Sequence, residues 1–594
     1  MSAPVRQSGL PERGGVGSPP PRRKRLELVG ALLLVTVLWW PAACWRLGAA
    51  PFYTKGEPRE ALVVWEMVHG RGWILPRRNG TEIPSKPPMF HWLGAMVAKM
   101  AGTLDEGTVR VPSAVASLLG LYGVVLAGAR WWSVRAGLFA ALVLSTSFEW
   151  ARAATNARVD MVLTLGLEAA FLSLFFFWQT RRRAWLLPLY GGIALAVLAK
   201  GPVGLALPAI AGSILMLLTF RTEAWRARRW REIVDWSAIR SFSLVRGLLF
   251  VALVAGAWYV LALAEGGWAF FRKQILAENV FTFVDDPDWG GGHRHGLLYL
   301  PSQWFLGSLP WSLLWPLVAA DLWGRRHQLR RWDAAVVLLV WIGVVFVFYE
   351  FAASKRGVYL LALYPAVALL CGWFWSRLSE GEGEIPDWYR VAIRYAALGV
   401  SIAMTLALAL VWVLSFEPPV ALLVPERWEA EGLPVAVAVA KHLANGIAAL
   451  AIASCALLWF WTARSSQTRS ASRTLGALFL ASWLSVVVGR AVVLPAYAEA
   501  VTLRPWMQAA RVVTAGAPVY FFRTFDYQAV YYFGGHIPSV SEGNFPSEQK
   551  FLLVDRRTWE RGDHGLEQAY EEVPLQGTAS TIPQRLVLLR RKAE

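Results

Sequence analysis

Along this chain the hydrophobic residues come in long runs, and the polar residues gather between them. Apolar segments at 28–48, 111–129, 134–151, 160–178, 184–199, 202–219, 247–264, 303–320, 334–350, 358–376, 391–415, 436–462 and 474–496 approach or reach the roughly 17–25 residues that cross a bilayer as a helix. The pattern predicts thirteen membrane spans. Segment 88–103 is apolar but short and interrupted, which suits a helix lying at the membrane interface. Residues 1–25 are rich in Pro, Gly and Arg and end in Arg22-Arg23-Lys24-Arg25. They read as a disordered cytoplasmic tail before an uncleaved first helix, because no small-residue cleavage site follows the apolar run.

The polar segments between the spans divide into two kinds. Arg181-Arg182-Arg183, the cluster from Arg221 to Arg246, Arg325 to Arg331 and Arg464 to Arg473 recur on one side if the N-terminus is inside, as the positive-inside rule requires. The opposite side receives loops at 49–110 and 265–302, short turns near 152–160, 200 and 350–357, and the C-terminal tail. In the tail the pattern changes. Val519–Phe522, Ala529–Tyr532, Phe551–Val554 and Leu586–Leu589 are short β-like runs separated by turn residues. The expected organisation is a 1–25 tail, a membrane domain over 26–496 and a small outer α/β domain over 497–594.

Composition agrees with a membrane protein. Of 594 residues, 56% are hydrophobic and 17% charged, the mean hydropathy is +0.40, and the 33 tryptophans suit headgroup depth. The net charge of +18 sits in loop clusters rather than in the stripe of a nucleic-acid binder, so no nucleic-acid partner is expected. Cys44, Cys371 and Cys455 lie in or beside apolar segments without metal or redox spacing.

Charges on the outer side close to span ends are functional suspects. They include Lys55, Glu57, Arg59, Glu60, Lys86, Arg152, Arg158, Asp160, Lys200, Asp285, Asp286, Asp288, His293, Arg294, His295, Lys355 and Arg356. After Pro58, the apolar face of Ala61, Val64, Trp65 and Val68 predicts a helix resting on the membrane with Glu57 at its start. Converging charges of this kind form a cationic cavity for an anionic phosphate head with a lipid tail. Arginine and lysine there neutralise a leaving phosphate, and a carboxylate takes a proton from an incoming hydroxyl. The bland alternative is that these charges are solvated or snorkel to the interface. His293-x-His295 is a zinc pair only if a third ligand joins it, and no metal site is assigned.

Gly56-Glu57-Pro58-Arg59-Glu60-Ala61, then Gly72-Trp73-Ile74-Leu75-Pro76 and Ser85-Lys86-Pro87-Pro88, resemble the bacterial GT-C transferases of the aminoarabinose transferase and protein O-mannosyltransferase superfamily. Asp160 at a span start, Lys200-Gly201-Pro202, His293-Arg294 fifteen residues before Ser308-Leu309-Pro310-Trp311, and Lys355 with Tyr359 follow in the family's order. The resemblance implies an all-α polytopic GT-C fold of about 13 spans with periplasmic interfacial helices and a small C-terminal α/β periplasmic domain. It implies sugar transfer from a polyprenyl-phosphate carrier to a lipid, glycan or protein acceptor at the periplasmic face of a bacterial inner membrane. On it, Glu57 is the candidate base. Arg59, Lys86, Arg158, His293 and Lys355 are phosphate or acceptor contacts, with Asp160, Lys200, Arg294 and Tyr359 completing the site. No cofactor is required, although a divalent cation is compatible. Two positions depart from the pattern: the family's leading aspartate is Gly56 here, and the glutamate before its Lys-Pro pair is Ser85. A transporter or flippase of a lipid-linked anion and a non-catalytic scaffold are the rival readings. A transporter predicts charges at span midpoints or paired broken helices.

Overall fold

The structure is a computed structural model and describes residues 22–218, 240–281, 295–329, 333–380, 386–415, 432–468, 470–540, 550–562, 565–575 and 586–592. Among these, ten helices are long and apolar enough to cross a membrane, and up to eleven if a bent pair counts as one span. The thirteen expected segments all fall on helices: these ten, one bent pair and two shorter apolar helices. Tyr299–Gly307 and Trp311–Gly324 are two helices bent by 102° at a short break, and Val134–Thr146 and Val203–Leu217 are apolar but shorter. The segment read as 436–462 divides at Asn445, whose side chain accepts from the Ala448 amide at 2.9 Å and starts a new helix, Gly446–Ser465.

Two spans form the hairpin that matters most for the site. Val159–Thr180 and Leu186–Lys200 approach so closely that a Cβ on Gly166 would lie 2.8 Å from the Gly192 carbonyl oxygen. Small residues let helix backbones approach in this way. The antiparallel register then sets Asp160, in the first turn of one helix, beside Lys200, the last residue of the other. Each charge also suits its helix end: a carboxylate favours the N-terminal end and an ammonium the C-terminal end.

The 49–110 loop holds two helices, Gly56–Val68 and Met89–Ala101. Gly56–Val68 does not rest one apolar face on a membrane. It is packed on almost every side, with Glu57, Glu60 and Glu66 buried alongside Ala61 and Val64. A second correction concerns 265–302, expected as loop. The helix beginning at Leu244 kinks at Gly267, where φ is 55°. Beyond the kink the chain is helical again, wound as a π-helix over Phe271–Phe281, so residues 265–281 are helix and not loop.

At the C-terminus a five-stranded sheet takes the order Ser539–Val540, Val519–Phe522, Phe551–Asp555, Leu586–Arg591, Tyr570–Glu572. The first three strands are parallel and the last two pairings antiparallel. Alternation sorts the side chains: Phe521, Leu553 and Leu588 join the main core, while Phe522, Leu552, Val587 and Leu589 form a separate cluster on the other face. The run Ala529–Tyr532, expected as strand, lies inside the helix Tyr527–Phe533, because Asp526 caps that helix by accepting from the Gln528 and Ala529 amides. This helix docks on the first outer loop. Tyr532 donates to Glu106 at 2.8 Å and accepts from the Phe52 amide at 2.8 Å, and Gln528 donates to the Phe52 carbonyl at 3.0 Å.

Candidate functional site

Two cavities meet between the spans, the outer loops and the C-terminal sheet. The upper one, about 780 Å³, lies under the sheet and is lined by Tyr53, Lys55, Gly56, Tyr299, Tyr497, Trp506, Asp526 and Tyr527, among others. The lower one, about 470 Å³, is walled by Pro202, Val203, Ala206, Phe348 and Tyr349 on its apolar side. Arg59, Arg158 and Arg356 belong to both walls. A cationic junction therefore separates an aromatic, solvent-side chamber from a partly apolar, span-side one.

The lower cavity carries six cations, Arg59, Lys86, Arg158, Lys200, Lys273 and Arg356, against three carboxylates, Glu60, Asp160 and Glu278. Each carboxylate divides its two oxygens between two partners. Glu60 accepts from Arg59 on Oε1 at 2.9 Å and pairs with His91 Nε2 through Oε2 at 2.8 Å. Asp160 accepts from Lys200 on Oδ1 at 2.6 Å and from Arg158 on Oδ2 at 3.0 Å. Glu278 accepts from Lys86 on Oε2 at 2.8 Å and faces Lys273 across 3.7 Å. Burial alone drives the Glu60 carboxyl upward, but Arg59, the His91 hydrogen bond and Arg78 together hold it well below the ordinary carboxylate range. Glu60 in turn raises the Arg59 guanidinium above its usual value. The Lys200 ammonium sits 4.1 Å from the Tyr359 ring centroid, an orienting cation–π contact.

The sequence-derived residues divide. Arg59, Lys86, Arg158, Asp160, Lys200 and Tyr359 all line the lower cavity. Glu57 does not reach either cavity wall, and it is fully buried. Its Oε1 accepts from Arg110 Nε at 2.8 Å and from the Ala157 amide at 3.2 Å, so it is not placed to take a proton from a substrate. Arg110 also donates to the Leu47 and Ala50 carbonyls. Burial, followed by the Glu57 charge, pushes the nearby Tyr53 hydroxyl up to about 12. The i, i+4 spacing of Lys355 and Tyr359 predicts that both lie on one helical face. Lys355 instead precedes the tight helix Gly357–Leu363 and turns inward to Glu350 at 2.6 Å. His293 and Arg294 lie outside the described residues.

Sequence reasoning missed Lys273 and Glu278, because 265–302 read as loop. A π-helix bonds residue i to residue i+5, and this winding brings Lys273 and Glu278 to 3.7 Å of each other. It also left Arg356 among unassigned outer charges, next to the lysine it preferred. Among the described residues no group of three His, Cys, Asp or Glu could hold a metal ion.

Known proteins share this architecture. ArnT from Cupriavidus metallidurans bound to undecaprenyl phosphate superposes with a TM-score of 0.70 at 19% identity, over 96% of this chain and 98% of that one. Its apo state gives 0.68 at 20% identity, over 95% and 97%. The family described as dolichyl-phosphate-mannose-protein mannosyltransferase matches residues 85–245. The chain has the GT-C membrane fold of ArnT and is similar, over part of its length, to the aminoarabinose transferase and protein O-mannosyltransferase superfamily. Two undecaprenyl phosphate-alpha-4-amino-4-deoxy-L-arabinose arabinosyl transferases are similar in sequence. That of Shewanella sediminis is 25% identical over 54% of this chain and 56% of its own length. That of Pseudomonas savastanoi pv. phaseolicola is 28% identical over 60% and 63%. The chain thus spans little more than half the length of the curated relatives it matches. Within this GT-C fold, the 85–245 match carries Lys86, Arg158, Asp160 and Lys200.

Proposed function

We propose that this protein transfers a sugar from a polyprenyl-phosphate carrier to a lipid, glycan or protein acceptor at the periplasmic face of a bacterial inner membrane. The observation that carries this reading is the sharing of Arg59, Arg158 and Arg356 by two cavities of different character. The lower cavity, cationic at one end and apolar at the other, suits a phosphate with the first units of its lipid. The upper one, with tyrosines and Trp506, suits an acceptor and the faces of sugar rings. Undecaprenyl phosphate is the ligand bound by ArnT of the same fold, which supports the donor class.

In the proposed step the acceptor oxygen attacks the anomeric carbon from the upper cavity. The bond from that carbon to the phosphate oxygen breaks, and the electron pair leaves on the phosphate. Three guanidiniums at the junction meet that charge as it develops, where preorganised donors are most effective. Glu60 and Asp160 already hold two partners each, so the acceptor proton leaves to water on the upper, solvent-side face while the phosphate departs as an anion into the lower cavity. Glu57 becomes a positioning residue that fixes the turn bearing Gly56.

The test is transfer by the purified full chain, with undecaprenyl-phosphate sugars as donors and source-cell membrane extract as acceptor. Arg158→Ala and Arg356→Ala are expected to lower kcat by about 10²–10³, the usual effect of removing one preorganised charge donor. Absence of transfer with every donor, from folded protein that binds none of them, would replace this reading with the scaffold or transporter.

A further inference from the structure

Three carboxylates bridge pairs of partners in the lower cavity, but they are not equivalent. The side chains of Glu60 and Asp160 are 5% and 3% exposed, whereas that of Glu278 is 22% exposed. Glu60 is bound to buried His91, and Asp160 is closed in by the hairpin register. Releasing either one opens the packed core. Among the described residues Glu278 forms ion pairs with two lysines, at 2.8 and 3.7 Å. It lies in the π-helix Phe271–Phe281, and one of its two ion pairs is long, at 3.7 Å.

The position of Glu278 is as telling as its looseness. Lys86 comes from the Ser85-Lys86-Pro87-Pro88 turn and Lys273 from the π-helix, and nothing in the chain joins these two elements covalently nearby. Two ammonium groups placed close together repel each other. The Glu278 carboxylate between them offsets that repulsion and sets their spacing. A phosphate presents the same thing to such a pair: anionic oxygens that accept from two donors at once. Lys86, Lys273 and Glu278 all line the cavity that the proposed function gives to the donor phosphate.

We infer that Glu278 is a resident substitute for the donor phosphate: it holds Lys86 and Lys273 in position while the cavity lacks donor, and yields them when a polyprenyl phosphate enters. This inference rests on the donor reading above. Glu278 is a positioning residue in this scheme, and donor affinity reflects an exchange of one anion for another. The exchange lets the site keep its cations ordered without holding the spent carrier too firmly after transfer.

The experiment is titration of undecaprenyl phosphate into the full chain in detergent micelles, followed by native mass spectrometry. Transfer kinetics are measured alongside. With the carboxylate neutralised in Glu278→Gln, Kd is expected to fall about tenfold, the scale of a close like-charge contact removed. KM for the lipid-linked sugar falls with it, and kcat falls too, because the spent carrier leaves more slowly. A merely structural role for Glu278 would raise KM or leave it alone. Lys86→Ala is expected to weaken binding. If Glu278→Gln does not fold, Glu278→Asp carries the same test, since the shorter side chain reaches Lys86 less well and binding tightens to a smaller degree. Equal or weaker binding by either folded variant overturns the inference while leaving the donor reading intact, provided the wild type binds. A folded wild type that binds no undecaprenyl phosphate overturns both.

Discussion

Glu57 and Arg110 are 0% and 2% exposed at their side chains and meet at 2.8 Å. Desolvating two such charges costs several kcal/mol each, which only good geometry and further hydrogen bonds offset. Here Arg110 has the Leu47 and Ala50 carbonyls, and Glu57 has the Ala157 amide. The pair ties the first outer loop to the Glu106–Trp131 span and to the 155–158 turn that delivers Arg158. Truncating one partner strands the other charge, so Arg110→Ala is expected to cost about 3–5 kcal/mol. Thermal unfolding of the detergent-solubilised chain reads this as a lower midpoint, and the Glu57→Gln/Arg110→Met double variant should recover part of the loss. An unchanged midpoint in Arg110→Ala would show that the pair contributes nothing. The neighbouring Gly56 has its own constraint: a Cβ there would lie 3.1 Å from Arg158 Nη1. The Arg158 guanidinium, bound to Asp160, takes the space beside the position where the family pattern has an aspartate.

Among the elements, the Gly56–Val68 helix shows how a sequence pattern can mislead. Its Ala61, Val64, Trp65 and Val68 suggest a single apolar face, yet Glu57, Glu60 and Glu66 are buried as well. They are buried because each finds partners: Arg110 for Glu57, the adjacent Arg59 and the His91 ring for Glu60, and Arg71 and the His536 ring for Glu66. These pairings make the helix sensitive to acid. Glu60 has a folded-state value depressed well below the ordinary one. Its contribution is therefore present above the unfolded-state value, near 4.3, and is lost as pH falls through the depressed folded value. Wild-type stability should decline from about pH 4 downward. Glu60→Gln should show a flatter decline from a lower neutral-pH midpoint. Parallel profiles for the two proteins would assign the acid sensitivity to other groups.

For the whole molecule, the C-terminal sheet roofs the upper cavity and is fastened to the outer loops by polar contacts. Tyr532 bridges Glu106 and the Phe52 amide, Asn79 exchanges two hydrogen bonds with Ile537, and Tyr527 donates to Glu82. Removing one hydroxyl leaves two buried groups without that partner, at about 1–3 kcal/mol. Tyr532→Phe should therefore loosen the roof before it unfolds the spans. Limited proteolysis is expected to cut the C-terminal region faster, with transfer reduced, while the thermal midpoint of the membrane domain stays put. Cleavage at the wild-type rate would mean that apolar packing alone holds the sheet.

Several features of this protein were decided locally and could be read directly. Spans are set by run length, because unsatisfied backbone groups in lipid leave helices as the workable solution. Among the described residues ten helices of spanning length emerge where apolar runs stand, and three of the four β-like runs are strands. The exceptions have physical causes. Asp526 caps what looked like a strand, Asn445 cuts a span in two, and after a kink at Gly267 a π-wound helix follows where a loop was expected. At the site, residue type and closeness to span ends were enough to bring out Arg59, Lys86, Arg158, Asp160 and Lys200. Which charges face a cavity and which are spent on each other was settled only by tertiary structure. Glu57 and Lys355 have the same local credentials as Lys86, yet Arg110 and Glu350 claim them. The Glu57 partner arrives from 53 residues away and the Lys355 partner from the end of the preceding span, five residues back. In both cases the path of the folded chain makes the pairing, and no local pattern of polar and apolar positions encodes it.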